Sequence, residues 1–238
     1  MKRIFALAAA AAALVACNNF RTGQYMDDLV LPLAEERPDS LFFSIDLEYV
    51  VKGMPKEAME QVNGAIITQA FDVEEPGASL EEAALRYREA LIDEDLDQAD
   101  FSWEDSIEGL FTGDWKQWKN YQLSYYNFRG GAHGIQTVSQ LVFDRKTGHL
   151  LTETDLFADG YLPGITPLLR QAVQSSLEQE APELLELVDL DSVAPNGNFS
   201  VSKDGVEWVF QPYEVGPYAL GLVTATVPWD KLQPYLKN

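Results

Sequence analysis

The chain has 238 residues, 46% of them hydrophobic, and 17 Lys and Arg stand against 38 Asp and Glu, a formal net charge of −21. This length can bury one large core or two small ones, and the charge repels nucleic acid and favours basic partners, although it also keeps an exported protein soluble. With Cys17 as the one cysteine, an internal disulfide and a cysteine metal site are excluded.

The N-terminus has the features of a bacterial lipoprotein signal. Lys2 and Arg3 precede an apolar run over residues 4–16 that is too short to span a bilayer as a permanent helix. The run closes on Leu-Val-Ala-Cys, which resembles a lipobox. We therefore predict that residues 1–16 are a signal peptide and that Cys17 is a lipid anchor to the membrane. No acidic run follows, so we expect a lipoprotein of the cell envelope on the periplasmic face of the outer membrane.

The mature chain divides into a tether and two modules. Residues 17–39 carry scattered charges, glycine and proline without sustained periodicity, which predicts a flexible tether. Residues 40–110 are predicted to form an N-terminal α+β module, and residues 111–238 a C-terminal α+β domain. Because strand and helix patterns segregate without regular alternation, we expect an α+β fold with mainly antiparallel sheet, packed helices and two intimately associated subdomains.

The first module begins with a strand and two helices. Within residues 41–51, apolar and polar positions alternate from Phe43 to Tyr49, which is typical of a half-buried strand. Pro55 suits the first position of a helix with an apolar stripe, and Ser79 with Glu82 indicates a capping box at the start of a second helix.

Acidic residues then crowd the segment from Asp93 to Glu108. A calcium loop needs carboxylates around a central glycine, and that register does not occur here. We interpret the segment as a solvated acidic face.

The second module is predicted to be rich in strands. Antiparallel strands over residues 115–143 are followed by a connection at 144–148, in which Gly148 suits a positive φ. A helix is expected from about Pro163. Three further strands are predicted at residues 199–201, 206–211 and 222–228.

The sequence gives little support for catalysis. It contains two histidines and lacks the motifs of serine hydrolases, zinc proteases and nucleotide-binding loops. A pair of carboxylates that cleaves glycosides stays open, because such pairs are formed in space. We assign no catalytic residue, no metal and no cofactor, and we favour a protein that is not an enzyme.

Two loops supply candidate ligand-binding residues. Glycines at 130, 131 and 134 free the backbone around His133 to aim amides at a ligand, although they also suit a tight bend that His133 merely fixes. The loop 212–221 holds rigid aromatic rings that can serve as anchors. The candidates are Gly130, Gly131, His133, Gly134, Tyr213 and Tyr218.

Four motifs occur in an order that resembles the RsiV-like extracytoplasmic domain family. They are Gly-Gly-Ala-His-Gly at 130–134, Phe-Asp-x-x-Thr-Gly at 143–148, Asp-Leu-Phe at 155–157 and Phe-Gln-Pro-Tyr-Glu-Val-Gly-Pro-Tyr-Ala-x-Gly at 210–221. Members include the anti-sigma factor RsiV, whose domain binds lysozyme, and the non-catalytic part of the deacetylase PdaC. The resemblance implies an envelope binding protein that recognises a basic protein such as lysozyme, or alternatively a cell-wall glycan.

Overall fold

The structure, a computed structural model, describes residues 20–32, 40–73, 79–93 and 102–237. Within these ranges eight strands form two sheets, flanked by helices. The strands are β1 (Arg21–Pro32), β2 (Ser40–Lys52), β3 (Trp103–Trp115), β4 (Trp118–Phe128), β5 (Ile135–Asp144), β6 (Phe199–Val201), β7 (Gly205–Phe210) and β8 (Val223–Pro228). The helices are α1 (Lys56–Phe71), α2 (Leu80–Asp93), α3 (Glu153–Leu156), α4 (Leu162–Glu180) and α5 (Trp229–Leu232), with short 3₁₀ helices at Pro182–Leu187, Tyr218–Leu220 and Gln233–Tyr235.

The larger sheet has the order β1-β2-β3-β4-β5, and the smaller has the order β6-β7-β8. All neighbouring strands are antiparallel except β2 and β3, which run parallel. A parallel pair needs a crossover connection, and α1 and α2 provide it. The α+β class with mainly antiparallel sheet is therefore confirmed.

Two hydrophobic cores hold the molecule together. In the first, α1 and α2 pack on one face of the large sheet, where Phe43, Ile45 and Leu47 of β2 are buried. In the second, the apolar stripe of α4 packs against the small sheet around Trp208. Val142 of β5 belongs to the second core, whereas the residues on either side of it belong to the first. The residues that follow β5, which we call the C-terminal unit, therefore pack on the β5 side of the large sheet, on the face opposite α1 and α2.

Side-chain amides join the two units by taking the place of a neighbouring strand. The buried Asn120 of β4 donates from Nδ2 to the carbonyl of Val201 (2.8 Å) and accepts at Oδ1 from the amide of Val201 (3.0 Å). Gln211 bonds both backbone groups of Val138 on the outer edge of β5 in the same way. The backbone groups of Val138 and Val201 therefore have hydrogen-bond partners at this contact, although the two sheets are not continuous.

Several local predictions are confirmed. Ser79 and Glu82 form the capping box, each side chain accepting a bond from the other residue's backbone amide (3.2 and 3.1 Å). Gly148 has a φ of 77°, as expected for the turn after β5. Pro55 lies just before α1, one position earlier than predicted.

The tether prediction is wrong for residues 21–32, because these residues form β1. Tyr25, Leu29 and Leu31 alternate inward onto the first core. Asp27 interrupts this apolar face in the sequence, but it is paired with Arg88 of α2 at 2.9 Å. Phe20, just before β1, packs against the same core, and residues 17–19 and 33–39 of the predicted tether lie outside the described residues.

The predicted boundary between residues 110 and 111 falls inside β3, so it does not separate two structural units. β3 pairs with β2 on one side and with β4 on the other, and the large sheet extends to the end of β5. The change from the first core to the second occurs after that strand.

The interpretation of residues 93–108 as a solvated face is wrong at Asp105. This residue is 5% exposed, and its carboxylate accepts bonds from Tyr87 Oη (3.0 Å), Asn127 Nδ2 (2.8 Å) and Arg129 Nη2 (3.2 Å). Residues 94–101 of the segment lie outside the described residues.

The predicted signal peptide and Cys17 also lie outside the described residues. In the part of the chain that the structure describes, no helix is long and apolar enough to cross a bilayer.

Candidate functional site

The glycine-rich loop connects β4 to β5. Gly130 and Gly131 have φ angles of 88° and 92°, a left-handed conformation that favours glycine over other residues. Gly134 is buried, and a Cβ at this position would overlap the phenol of Tyr126. The glycines thus allow a sharp bend and a close approach of two chain segments, while His133 stays exposed.

The two predicted loops meet, so that His133, Tyr218 and Tyr213 form an aromatic cluster. The rings of His133 and Tyr218 stack with centroids 3.5 Å apart and an angle of 11°. Tyr213 adds a third ring, with its centroid 5.7 Å from that of Tyr218. The hydroxyl of Tyr218 donates to the carbonyl of Gly134 (2.7 Å), which fixes the position of one loop on the other. The six candidate residues therefore lie together.

Tyr213 is held in an unfavourable backbone conformation. Its φ is 73°, in the left-handed region that residues with a Cβ rarely adopt, and 60% of the residue is exposed. An exposed ring contributes little to folding, and strained residues of this kind concentrate at functional sites. The strain therefore points to a role for this ring outside the core.

We expect Tyr213→Asn to raise the free energy of unfolding by about 0.5–1 kcal/mol, because asparagine tolerates the left-handed region better than tyrosine does. Chemical denaturation measures this change. Tyr218→Asn is the contrasting variant, because it removes the bond to Gly134 without relieving strain and should destabilise the protein. Destabilisation by Tyr213→Asn as well would mean that the ring has a structural role.

The aromatic cluster continues onto the face of the large sheet that lies opposite α1 and α2. Tyr126 of β4 lies on this face beside Gly134. Burial and then the negative charge of Glu104 raise the pKa of Tyr126, with Tyr218 a smaller cause. Tyr126 therefore lies between a carboxylate of the sheet and the rings of the loops.

Strand register places carboxylates side by side on this face. Glu104 is the neighbour of Phe42 and Phe128, and Glu108 is the neighbour of Asp46. We call this surface the acidic face, and its carboxylates are Asp28, Asp46, Glu104 and Glu108. Glu48 ends the same row of β2, and its carboxylate accepts the backbone amide of Phe111 (2.8 Å). No Lys or Arg occurs at the positions of β1 to β4 that share this face. These positions lie within residues 24–30, 42–48, 104–110 and 122–128.

Sequence reasoning did not find the acidic face. The even-numbered positions of residues 104–110 lie on one face of β3, and this period of two is the sequence pattern that could have indicated a strand with an acidic side. It was obscured by the acidic residues just before the strand. The alignment of Glu108 with Asp46 depends on strand pairing over a distance of 62 positions, which local patterns do not specify.

A cleft of about 580 Å³ lies at the outer edge of β5, and its lining includes Glu153 and Glu214. Both oxygens of each carboxylate accept hydrogen bonds from the fold. The donors are Trp208 Nε1, Gly197 N and Tyr161 Oη for Glu153, and Asn196 Nδ2 and Gln211 N for Glu214. These carboxylates hold the cleft together, because each of their oxygens accepts a hydrogen bond from the fold. Among the described residues, no group of three or more His, Cys, Asp or Glu could hold a metal ion.

Solved structures share this fold. A member of the DUF3298 family from Bacteroides fragilis NCTC 9343 matches with a TM-score of 0.82 and 22% identity, covering 93% of this chain and 95% of that one. A DUF3298 family protein from Pseudomonas aeruginosa PAO1 matches with a TM-score of 0.70 and 18% identity, covering 92% and 95%. Among curated proteins, none matches the chain significantly. Residues 154–230, from α3 to the start of α5, match the family described as "Protein of unknown function (DUF3298)".

Proposed function

We propose that this chain is a lipid-anchored, non-catalytic binding protein of the cell envelope, and that its acidic face and aromatic cluster together bind a basic protein such as lysozyme. The observation that carries the proposal is the continuity of the two surfaces through Tyr126. The resemblance to the RsiV-like domain, which binds lysozyme in RsiV, supports the same choice of partner.

The surface suits Lys and Arg side chains for two reasons. No Lys or Arg shares the described strand positions of the acidic face, so its carboxylates attract positive charge over several ångströms and accelerate encounter. Exposed aromatic rings then bind a cationic head over the face of the ring and bury its alkyl stem. Tyr and Arg are also the residues that most often dominate protein interfaces.

A cell-wall glycan is the second candidate, favoured by the stacked rings of His133 and Tyr218. Flat aromatic surfaces bind sugar rings as well as protein side chains. The two candidates differ in their dependence on charge, because a neutral glycan gains little from Glu104 or Glu108.

The proposal is tested by calorimetric titration of the chain from Asn18 onward with lysozyme, at low and at physiological salt. We expect saturable binding that persists at physiological salt and exceeds that of an equally basic unrelated protein. Glu104→Gln with Glu108→Gln should weaken binding about tenfold, since each exposed ion pair contributes ~0.7 kcal/mol.

The matched control is Glu183→Gln with Glu186→Gln, which removes the same charge from an exposed 3₁₀ helix in the C-terminal unit. If both double variants weaken binding equally, general acidity is responsible and the acidic face is not the site. Tyr213→Asn supplies an independent check, because it should weaken binding while it stabilises the fold. If Tyr213→Asn left lysozyme binding unchanged but abolished glycan binding, the second candidate would be favoured.

A further inference from the structure

The end of the large sheet farthest from the aromatic cluster is basic, in contrast to the chain as a whole. Register pairs Arg21 at the start of β1 with Lys52 at the end of β2. Because β3 runs parallel to β2, the turn from β3 to β4 and the turn after β5 lie at this same end. We call this surface the basic end, and its cations are Arg21, Lys52, Lys56, Lys116, Lys119, Arg145 and Lys146.

A concave site lies within the basic end. A depression of about 490 Å³ is lined by Gly53, Pro55, Lys116, Gln117, Arg145 and Lys146, so three cations and no carboxylate line it. The carboxylate of Asp144 turns into its own loop and accepts the backbone amides of Lys146 (2.8 Å) and Thr147 (3.0 Å). Asp114 pairs with Lys119 (3.0 Å) and Glu60 with Lys56 (3.4 Å). Glu48 lines a neighbouring depression together with Arg21 and Lys119.

The predicted lipid anchor enters the fold at this end. Phe20 follows Cys17 by three positions, and its ring packs edge-on against Phe111 with centroids 5.2 Å apart. The ammonium group of Lys119 lies 4.2 Å from the centroid of the same ring. Three residues of chain reach at most about 10 Å. A lipid on Cys17 is therefore confined close to the basic end.

We propose that the basic end docks on the anionic headgroups of the bilayer that holds the anchor, with a headgroup phosphate in the depression between Lys116, Arg145 and Lys146. This inference rests on the lipid anchor of the proposed function. Lys and Arg near an anionic surface each strengthen its attraction, and the attraction is screened beyond a Debye length.

Docking at this end orients the binding surface. β4 runs from Trp118 at the basic end to Phe128 near the aromatic cluster, an extent of roughly 35 Å for its eleven residues. The cluster is then presented away from the membrane, and the like-charged acidic face is kept away from the anionic lipids.

The test uses the mature lipidated protein in vesicles, with Ala132→Cys carrying a fluorescent donor and acceptors in the lipid headgroups. Ala132 is exposed in the loop at the far end, and Cys17 is blocked by its lipid. On vesicles containing phosphatidylglycerol we expect little energy transfer. On vesicles of phosphatidylcholine alone, or at high salt, transfer should rise severalfold because the domain tilts toward the membrane.

The variant Lys116→Asn, Arg145→Gln, Lys146→Gln should show the same severalfold rise on phosphatidylglycerol. The control variant Arg86→Gln removes an exposed cation of α2, next to Tyr87, which bonds Asp105 near the other end of the sheet, and it should leave transfer low. Equal transfer on the two lipid compositions, a rise in transfer for the control as large as that for the triple variant, or a Cys17 that mass spectrometry finds unmodified would overturn the inference. Lysozyme titration of the triple variant from Asn18 onward separates the two proposals, since binding should be unchanged there.

Discussion

Replacing Asn120 by leucine is expected to lower the free energy of unfolding by about 3–5 kcal/mol. Leucine has a similar size, so packing changes little, but the amide and carbonyl of Val201 lose their partners. Asn120 and Val201 are 6% and 1% exposed, so water cannot easily replace the lost bonds. Each buried backbone group left without a partner costs about 1–3 kcal/mol. Urea denaturation followed by fluorescence measures the loss.

Asn63→Leu is the matched control for this prediction. The side chain of Asn63 bonds both backbone groups of Val50 in the same manner, at 2.8 and 2.9 Å, but Asn63 is only partly buried. Water can replace part of these bonds, so the expected loss is about 1 kcal/mol. Similar losses for the two variants would show that burial does not govern the strength of these contacts.

Glu153→Leu is expected to destabilise the C-terminal unit by about 3–5 kcal/mol. It leaves Trp208 Nε1, the amide of Gly197 and the hydroxyl of Tyr161 without their acceptor, in a site where Glu153 is 7% exposed. Glu153→Gln keeps one acceptor oxygen and should cost less. Glu183→Leu, at an exposed position, should change stability by less than about 0.5 kcal/mol.

A spectroscopic readout identifies the contact itself. Burial and then the hydrogen bond to Glu153 raise the pKa of Tyr161. Because the carboxylate favours the neutral phenol, Glu153→Leu should move the pKa of Tyr161 back toward its ordinary value. Ultraviolet titration of tyrosinate in variants that remain folded measures this shift, with Tyr161→Phe identifying the signal. A Tyr161 pKa that does not fall in Glu153→Leu would contradict the assigned hydrogen bond.

The sequence predicted elements whose own residues carry the signal. The alternation of β2, the capping box of α2 and the stripe of α4 are local patterns, and each corresponds to an element of the fold. β1 was missed because Asp27 breaks its inward face, and the partner that satisfies it, Arg88, is 61 positions away. Asp105 was misread for the same reason, since its buried acceptors are satisfied by Tyr87 and Asn127 of other elements.

The candidate site was likewise predictable only where its residues carry a local pattern. The glycine loop and the aromatic loop could each be recognised from composition, and the structure brings His133 and Tyr218 into contact across 85 positions. Tyr126 and Glu104 could not be added, because their place beside that cluster depends on the register of β3 with β4 and on the close approach that Gly134 allows.

The parallel pairing of β2 with β3 limits the order in which the chain can fold. The hairpin of β1 and β2 can form early, since it closes over a short stretch of chain, whereas Leu41 reaches Trp103 only after both helices have formed or collapsed. Non-local pairings of this kind are slow because loop closure precedes the gain of contacts. Until β3 arrives, one edge of β2 is open to strands of other chains. Molecules held at high local concentration therefore have the greatest opportunity to mispair during this interval.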